Sequence, residues 1–295
     1  MNGRTTRAHV ARETLEILDR GFYQSPTGQV VHIRGALEAA MSGSVHYRPT
    51  DFDEVFALRD GITAERGVQP PIEFEVVNET TLSATGRLTK ADGNANVLAL
   101  NFASAKNPGG GFLKGSQAQE ESLARASGLY PCIVQMQAMY DANRRFRSCL
   151  YTDNMIYSPR VPVFRDDRDQ LLEAPYLVSF VTAPAVNAGV VRRRGTENIG
   201  RIENVMRGRI EKVLSLAVIH HHETLVLGAW GCGVFRNDAR DVARWFGDHL
   251  TGNGLFSRSF KKVVFAVLDK RGGAVIRPFQ NVFLHKVVPT NPSPG

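Results

Sequence analysis

The stretch NPGGGFLKGSQAQEESLARAS, residues 107–127, decides how the rest of the sequence is interpreted. Its three consecutive glycines are Gly109, Gly110 and Gly111. Glycine loses more backbone entropy on folding than any other residue, so such a run indicates positive φ angles or a close approach to another group. Residues 96–102 just before it are apolar and predict a buried strand. Strand, glycine loop and helix in this order are typical of a phosphate or ribose site, because free N–H groups of the loop face the ligand.

Neither of the two common nucleotide-binding glycine patterns fits this loop. A P-loop requires glycine, four residues and then Gly-Lys-Ser/Thr, but here Lys114 precedes Gly115. The dinucleotide pattern G-x-G-x-x-G would need a glycine at position 114. The sequence therefore excludes both an NTPase loop and a Rossmann fingerprint.

A different pattern does match. Three glycines, seven residues and then Gln119, Glu120 and Glu121 resemble the signature of poly(ADP-ribose) glycohydrolases, macrodomain-fold enzymes that hydrolyse ribose–ribose bonds. The stretch LGAWGCGVFRND, residues 227–238, resembles the second, diphosphate-binding loop of that family and follows in the family's order. The resemblance covers roughly residues 73–286 and is closest to the compact bacterial-type members. Some members have Asn where this chain has Ser104, so one ribose contact does not carry over.

Apolar runs alternate with helical patterns along most of the chain, which indicates a layered α/β domain with a largely parallel sheet. The predicted strands are residues 72–78, 96–102, 155–164, 175–185, 224–230 and 262–269. Pro159 and Pro162 are expected to end the third of these strands. The resemblance implies a macrodomain-like three-layer α/β/α fold with a central mixed sheet. Both glycine-rich loops follow strands, where ligands bind in such sheets.

The sequence also predicts how the chain is divided. Residues 1–71 are interpreted as a helical N-terminal extension packed on the main domain, because no low-complexity linker separates the two. Residues 72–286 form the macrodomain-like catalytic domain, and residues 287–295 form a tail that is disordered by composition.

Composition limits the class of protein. With 295 residues, a net charge of +7 and a pI near 9.5, the chain suits a polyanionic partner, although a basic surface kept for solubility explains the charge equally well. Its three cysteines, Cys132, Cys149 and Cys232, are too few and scattered for a disulfide framework or a zinc site. No signal-peptide pattern and no run of 18 apolar residues occurs, so we expect a soluble, cytoplasmic protein.

The adjacent carboxylates are the candidate catalytic groups. Glu120 and Glu121 differ by about 100° around a helix, so they are not expected to point at one atom. The resemblance implies that Glu121 is the catalytic acid, that Glu120 binds ribose hydroxyls and that Gln119 supports the loop. A carboxyl that is partly desolvated would have a raised pKa and could protonate the leaving oxygen of a glycoside, so we expect this for Glu121. The alternative is that both carboxylates only complement the helix dipole.

The second loop supplies the candidate substrate-binding residues Gly231, Cys232, Gly233, Val234 and Phe235. The small residues allow backbone N–H groups to close on a diphosphate. The resemblance implies that Phe235 packs on the distal ribose, while the alternative is a core aromatic. No paired histidine pattern supports Cys232 as a nucleophile.

Two runs of basic residues can each be interpreted as solvated surface residues. His220, His221 and His222 lack the i, i+4 spacing of a metal site, so we interpret them as solvated residues that compensate a helix dipole. The run 192–194, Arg-Arg-Arg, is predicted to lie in a loop before a long helix at residues 195–222. It either holds polymer phosphates or is simply solvated.

Together these features predict a glycohydrolase that releases ADP-ribose from poly(ADP-ribose) without metal or other cofactor. The expected partners are poly(ADP-ribose) or ADP-ribose, with ADP-ribosylated proteins as further candidates, and neither membrane nor sequence-specific DNA binding is expected. A macrodomain that only binds ADP-ribose is one alternative, but such a module would need no acid. A hydrolase acting on single ADP-ribose units would use the same loops and remains open, as do chain-end and internal cleavage.

Overall fold

The computed structural model describes residues 3–91, 96–195, 199–270 and 272–284. The strands are β1 Phe22–Gln24, β2 Val30–His32, β3 Val45–Tyr47, β4 Glu73–Val77, β5 Val97–Phe102, β6 Met155–Arg165, β7 Leu171–Ala183, β8 Thr224–Leu227 and β9 Lys262–Ala266. The helices are α1 Gly3–Arg20, α2 Arg34–Ser42, α3 Phe52–Arg66, α4 Thr81–Ala91, α5 Gln119–Ala126, α6 Leu129–Val134, α7 Gln137–Arg145, α8 Ala188–Arg194, α9 Arg201–Ile219, α10 Ala239–Leu250 and α11 Ile276–Phe283. The predicted tail, residues 287–295, lies outside the described residues.

A seven-stranded sheet in the described part of the chain has the order β3-β6-β7-β5-β8-β9-β4. The strands from β7 to β4 run parallel to their neighbours, whereas β6 pairs antiparallel with both β7 and β3. A short hairpin, β1–β2, stands apart from this sheet. The sheet is therefore mixed, as predicted.

Hydrophobic residues on the two faces of the sheet pack into separate cores. Strand β5 illustrates the alternation, because Leu98 and Leu100 join the core formed with α3, α9, α10 and α11, while Val97 and Ala99 join the core formed with α4, α5, α6 and α7. Helices cover both faces, which confirms the predicted three-layer α/β/α architecture.

The first 71 residues contact the main sheet and the glycine loop directly. Strand β3 pairs with β6 and so extends the sheet by one strand. Helix α1 packs on the loop through a small cluster of Ala11, Phe112 and Ala124. The Nε atoms of two α1 arginines donate to backbone carbonyl oxygens of this loop at 3.0 Å each. This segment thus supports the loop that carries the glycines, and the division at residue 71 stays a prediction.

Two predicted boundaries are wrong. Strand β6 continues through both prolines and absorbs them with a register shift between Ser158 and Val161. Arg160 between them has a φ of 43°, and its N–H donates to Ser179 Oγ at 3.0 Å. The helix predicted after the glycine loop breaks at Ser127, which is extended and forms an isolated bridge with Val163. Both differences have a tertiary cause, since β6 pairs with β7 across the prolines and Ser127 pairs with Val163 of β6.

The two charged runs also differ from expectation. The arginine run 192–194 forms the last turn of α8 instead of a loop, and the long helix α9 starts only at Arg201. His222 is buried, and its Nε2 lies 2.9 Å from Tyr157 Oη, while the ring of His220 stacks on that of Tyr157 with centroids 3.5 Å apart. Burial lowers the pKa of each of these two histidines to about 4, so the expectation of solvated, dipole-compensating residues is wrong for them, whereas His221 is exposed.

No helix in the described ranges is both long and apolar enough to cross a lipid bilayer.

Candidate active site

Pairing of β5 with β8 brings the two glycine-rich loops together. The strands are parallel neighbours, with Val97 opposite Thr224 and Ala99 opposite Val226. Each loop leaves the carboxyl end of its strand, so both loops lie at the same edge of the sheet. The structure therefore unites the two motifs, which are about 120 residues apart in the sequence.

Gln119 connects the start of α5 to the end of β5. Its Oε1 accepts from the N–H of Phe102 at 2.8 Å, and its Nε2 donates to the carbonyl of Leu100 at 2.7 Å and to Thr81 Oγ1 at 3.1 Å. The side chain thus pairs with two backbone groups of β5 and with a hydroxyl of α4. This geometry supports the role of loop support expected for Gln119.

Glu120 is the buried member of the carboxylate pair, with only 2% of its surface exposed. Its Oε2 accepts from the N–H of Ser104 at 2.7 Å, and Asn101 Nδ2 lies 3.4 Å from its Oε1. Burial raises the pKa of Glu120 from an ordinary 4.5 to about 8, and the nearby charge of Glu121 adds to this, against the hydrogen bonds that favour the anion. The protonated form of Glu120 is therefore favoured at neutral pH, whereas a raised pKa was expected from the sequence for Glu121.

Glu121 lies against the glycine loop on its open side. Its Oε1 accepts from the N–H of Gly111 at 3.0 Å. A Cβ added at Gly110, which has a φ of 58°, would collide with Glu121 Oε1 and lie 3.3 Å from Glu120 Oε2. Both carboxyls therefore reach the same glycine, although their positions on the helix differ by about 100°. Their hydrogen-bond partners nevertheless differ, since Glu120 accepts from Ser104 and Glu121 accepts from Gly111, which agrees with the expectation that the two do not point at one atom.

Backbone N–H groups of the first loop donate to acceptors within the protein. The N–H groups of Ser104 and Gly109 donate to Glu120, that of Gly111 to Glu121, and that of Gly110 to the carbonyl of Asn107. The expectation that free N–H groups of this loop face a ligand is therefore wrong here. The loop holds and orients the two carboxyls instead.

The second loop has the open donors. Within the described residues, no hydrogen-bond acceptor lies at the N–H groups of Gly231, Gly233, Val234 and Phe235. Gly231 has a φ of 74°, and a Cβ there would lie 2.6 Å from Ala185 Cβ, so only glycine fits. Several adjacent backbone donors without acceptors form an anion site. This arrangement supports the diphosphate-binding role expected for the loop.

The side chains of the second loop differ in exposure. Val234 is 81% exposed, whereas Phe235 is half-buried and packs against the core, with its ring centroid 5.9 Å from that of Tyr151. Burial raises the pKa of the Cys232 thiol to about 12. A thiol that stays protonated is a poor nucleophile, which agrees with the expectation that Cys232 is not one.

Sequence reasoning missed the residues behind Glu120. Asn101 is fully buried, and its Nδ2 lies 3.1 Å from Thr182 Oγ1 on β7 as well as near Glu120. Tyr140 on α7 is buried too, and burial together with the charge of Glu120 raises the pKa of its phenol well above the ordinary value. A signal for Asn101 was present, since it is the one amide inside the otherwise apolar strand β5.

Groups of three or more His, Cys, Asp or Glu that could hold a metal ion do not occur in the described ranges. None of the three cysteines in these ranges forms a disulfide.

Substituting Glu120 by glutamine should stabilise the protein increasingly as pH rises. The folded state keeps a proton that the unfolded state releases near pH 4.5, so folding loses up to about 1.4 kcal/mol per pH unit between there and pH 8. Glutamine is neutral throughout and can still accept from Ser104. Thermal unfolding of both proteins at pH 5, 6, 7 and 8 should show a Tm difference that widens with pH. The exposed residue Glu38, changed to glutamine, is the control, and a difference independent of pH would contradict the prediction.

Comparisons with known proteins agree with this geometry. The family described as microbial-type PARG, catalytic domain, matches residues 11–166. Poly(ADP-ribose) glycohydrolase from Thermomonospora curvata is similar at 46% identity and a TM-score of 0.88, over 95% of this chain and 100% of that chain. The same enzyme bound to the inhibitor ADP-HPD gives 45% identity and a TM-score of 0.86, over 94% and 99%. Poly(ADP-ribose) glycohydrolase from Deinococcus radiodurans in complex with ADP-ribose gives 44% identity and 0.76, over 85% and 98%. A search of curated proteins finds no match.

Proposed function

This chain belongs to the microbial-type poly(ADP-ribose) glycohydrolases, and we propose that it hydrolyses the ribose–ribose O-glycosidic bond with Glu121 as general acid and base. The observation that carries these roles is the pair of loops at one edge of the sheet. One loop holds two carboxyls against Gly110, and the other offers four backbone N–H groups that have no acceptor in the described part of the chain. Chemistry at a sugar next to a diphosphate needs both parts.

In the proposed reaction the diphosphate binds the N–H groups of the second loop, and the distal ribose lies between Phe235 and the carboxyls. Glu121 donates its proton to the 2′ oxygen of the departing adenosine ribose as the bond from that oxygen to C1″ breaks. A water molecule then attacks C1″ and gives its proton to the Glu121 carboxylate, which restores the acid. The products are ADP-ribose and a polymer that is shorter by one unit.

Glu120 is proposed to bind hydroxyl groups of the distal ribose. Because burial keeps it protonated at neutral pH, its carboxyl can donate one hydrogen bond to a hydroxyl oxygen and accept another. Contacts with Ser104 and Asn101 hold it in one orientation. A macrodomain that only binds ADP-ribose would not need a second carboxyl beside the loop, so the pair of carboxyls favours an enzyme.

The wider setting is part of the proposal. We place the enzyme in the cytoplasm and assign it to removal of poly(ADP-ribose) in the DNA-damage response. The basic composition, with a net charge of +7, suits a polyanionic substrate.

Incubation with purified poly(ADP-ribose), with products resolved by length over time, tests the function. Release of free ADP-ribose with gradual shortening would indicate cleavage at chain ends, and early appearance of oligomers would indicate internal cleavage. Absence of any product, with mono-ADP-ribosylated protein hydrolysed instead, would favour the alternative mono-ADP-ribosyl hydrolase.

Hydrolysis should be independent of metal ions. The proposed acid and the backbone donors supply proton transfer and anion binding without one. We expect the rate to be unchanged after dialysis against EDTA. Loss of activity that Mg²⁺ or Zn²⁺ restores would contradict the mechanism.

A further inference from the structure

Three exposed arginines lie beside the second loop and take no part in the mechanism above. They form the last turn of α8 and are called here the arginine cluster, defined as Arg192, Arg193 and Arg194. None of the three forms an ion pair with the residues that the structure describes. Guanidinium groups that have no carboxylate partner among the described residues are available to an anionic ligand.

The order of strands puts this cluster at the edge of the sheet that carries both loops. Across the sheet, β8 carries the diphosphate loop, β5 carries the loop with the carboxyls, and β7 comes next. Strand β7 runs parallel to β5, so α8, which follows it, lies at the same edge. A polymer that binds its diphosphate at the loop after β8 and its distal ribose at the loop after β5 would continue past the end of β7.

Helix α8 is fixed directly to the second loop. The N–H of Gly189 donates to the carbonyl of Phe235 at 2.9 Å, and Arg192 Nη1 donates to the carbonyl of Arg236 at 2.9 Å. Tyr151, whose ring contacts Phe235, is close enough to Arg194 for the two to interact: burial raises the pKa of Tyr151, and the charge of Arg194 lowers it. Phe235 and Tyr151 therefore lie close to the arginine cluster.

Charged residues of both signs line the space beside α8. A cavity of about 870 Å³ beside α8 has a charged lining of Arg192, Arg236, Asp238 and Asp241. Asp238 accepts from the N–H of Arg240 at the start of α10, and Asp241 lies 3.3 Å from a guanidinium nitrogen of Arg244. Both carboxylates are thus engaged elsewhere, and two of the arginines, Arg193 and Arg194, face solvent without a carboxylate partner among the described residues.

We infer that the arginine cluster is a subsite for the leaving group, binding the diphosphate of the ADP-ribose unit that departs when the glycosidic bond is cleaved. This inference rests on the proposed function. A diphosphate carries two negative charges, and planar guanidinium groups bind phosphate oxygens through paired N–H donors. The subsite would favour polymer over substrates that have a neutral leaving group.

The test compares two substrates in an Arg193→Ala/Arg194→Ala variant, which keeps the Arg192 contact with the second loop. One substrate is purified poly(ADP-ribose), and the other is ADP-ribose whose distal C1″ carries an uncharged coumarin phenol. With polymer we expect kcat/KM to fall by roughly 10- to 100-fold at low salt and the deficit to shrink as salt rises. With the coumarin substrate we expect a rate within about twofold of the wild type, because no second diphosphate is present.

Two matched variants complete the design. Arg193→Lys/Arg194→Lys should recover much of the activity on polymer, since it restores the charge without the fork. Arg66→Ala/Arg258→Ala removes the same charge near the start of β9, at the opposite edge of the sheet, and should leave both rates unchanged.

An unchanged rate on polymer, or equal losses on both substrates, would overturn the subsite, because equal losses would show that α8 only supports Phe235. If the wild-type enzyme hydrolyses neither substrate, the proposed function fails and the subsite fails with it.

Discussion

Replacing Glu121 by glutamine is expected to lower kcat on poly(ADP-ribose) by at least about 10²–10⁴-fold while Kd for ADP-ribose changes only a few-fold. The carboxamide cannot donate a proton to the departing oxygen. Because this proton transfer stabilises the transition state and not the bound ground state, kcat falls while Kd is nearly unchanged. The amide oxygen of glutamine can still accept from the N–H of Gly111, as Glu121 Oε1 does at 3.0 Å. The loop should therefore keep its shape.

Single-turnover rates and calorimetric titration with ADP-ribose, on the same preparation, separate these two effects. Ser122→Ala is the matched control, because Ser122 lies on the same helical turn and bonds only within and beside that helix. A glutamine variant with a tenth of the wild-type rate would show that Glu121 is not the acid. Loss of ADP-ribose binding in equal measure would show that it acts in binding.

Local chemistry in the sequence indicated the first loop, and resemblance to the family identified the second. Glycines beside an apolar strand are required where a Cβ would collide, and at Gly110 and Gly231 the structure shows such collisions. The pairing of β5 with β8, which makes one site of the two loops, is a tertiary fact that no local pattern contains. That the two loops form one site was therefore predicted only from the resemblance to the family.

The histidine run shows why other predictions failed. Consecutive histidines at a helix end are ordinarily solvated, and nothing nearby in the sequence indicates otherwise. In the fold, Tyr47 from the N-terminal segment and Tyr157 from β6 contact His220, at 2.8 Å between Tyr47 Oη and Nε2 and by ring stacking with Tyr157. These partners are distant in the chain, so burial and the lowered pKa values could not be predicted from the run itself.

The raised pKa of Glu120 also has a cause that lies in the tertiary structure. Adjacent glutamates look equivalent in sequence, and only the path of the loop decides which of them is covered. Glu120 points toward Asn101 and the buried Tyr140, while Glu121 stays beside the glycines. Burial, which sets the raised pKa of Glu120, is a property of that packing and not of the motif.

Phe235→Ala is expected to lower kcat by about 10²-fold and to leave Kd for ADP-ribose nearly unchanged. If the ring holds the distal ribose against Glu121, truncation misplaces the glycosidic bond by about 1 Å, and errors of this size have costs of that order. The diphosphate would still bind the N–H groups of Gly231 and Gly233, which the substitution does not touch. Because the carbonyl of Phe235 makes the bond to Gly189, the attachment of α8 also survives.

A purely structural role for Phe235 predicts a different outcome. The ring is half-buried against the core and contacts Tyr151, so its removal as a packing residue would cost up to about 3–5 kcal/mol of unfolding free energy and lower Tm clearly. Phe22→Ala is the control for loss of an aromatic ring, since Phe22 is 36% exposed and lies in the β1–β2 hairpin, apart from the main sheet. Kinetics and melting curves should be measured on the same samples of both variants. A large fall in Tm with kcat per folded molecule intact would make Phe235 a packing residue, whereas a large fall in kcat with Tm close to that of the Phe22 variant requires its contact with the sugar.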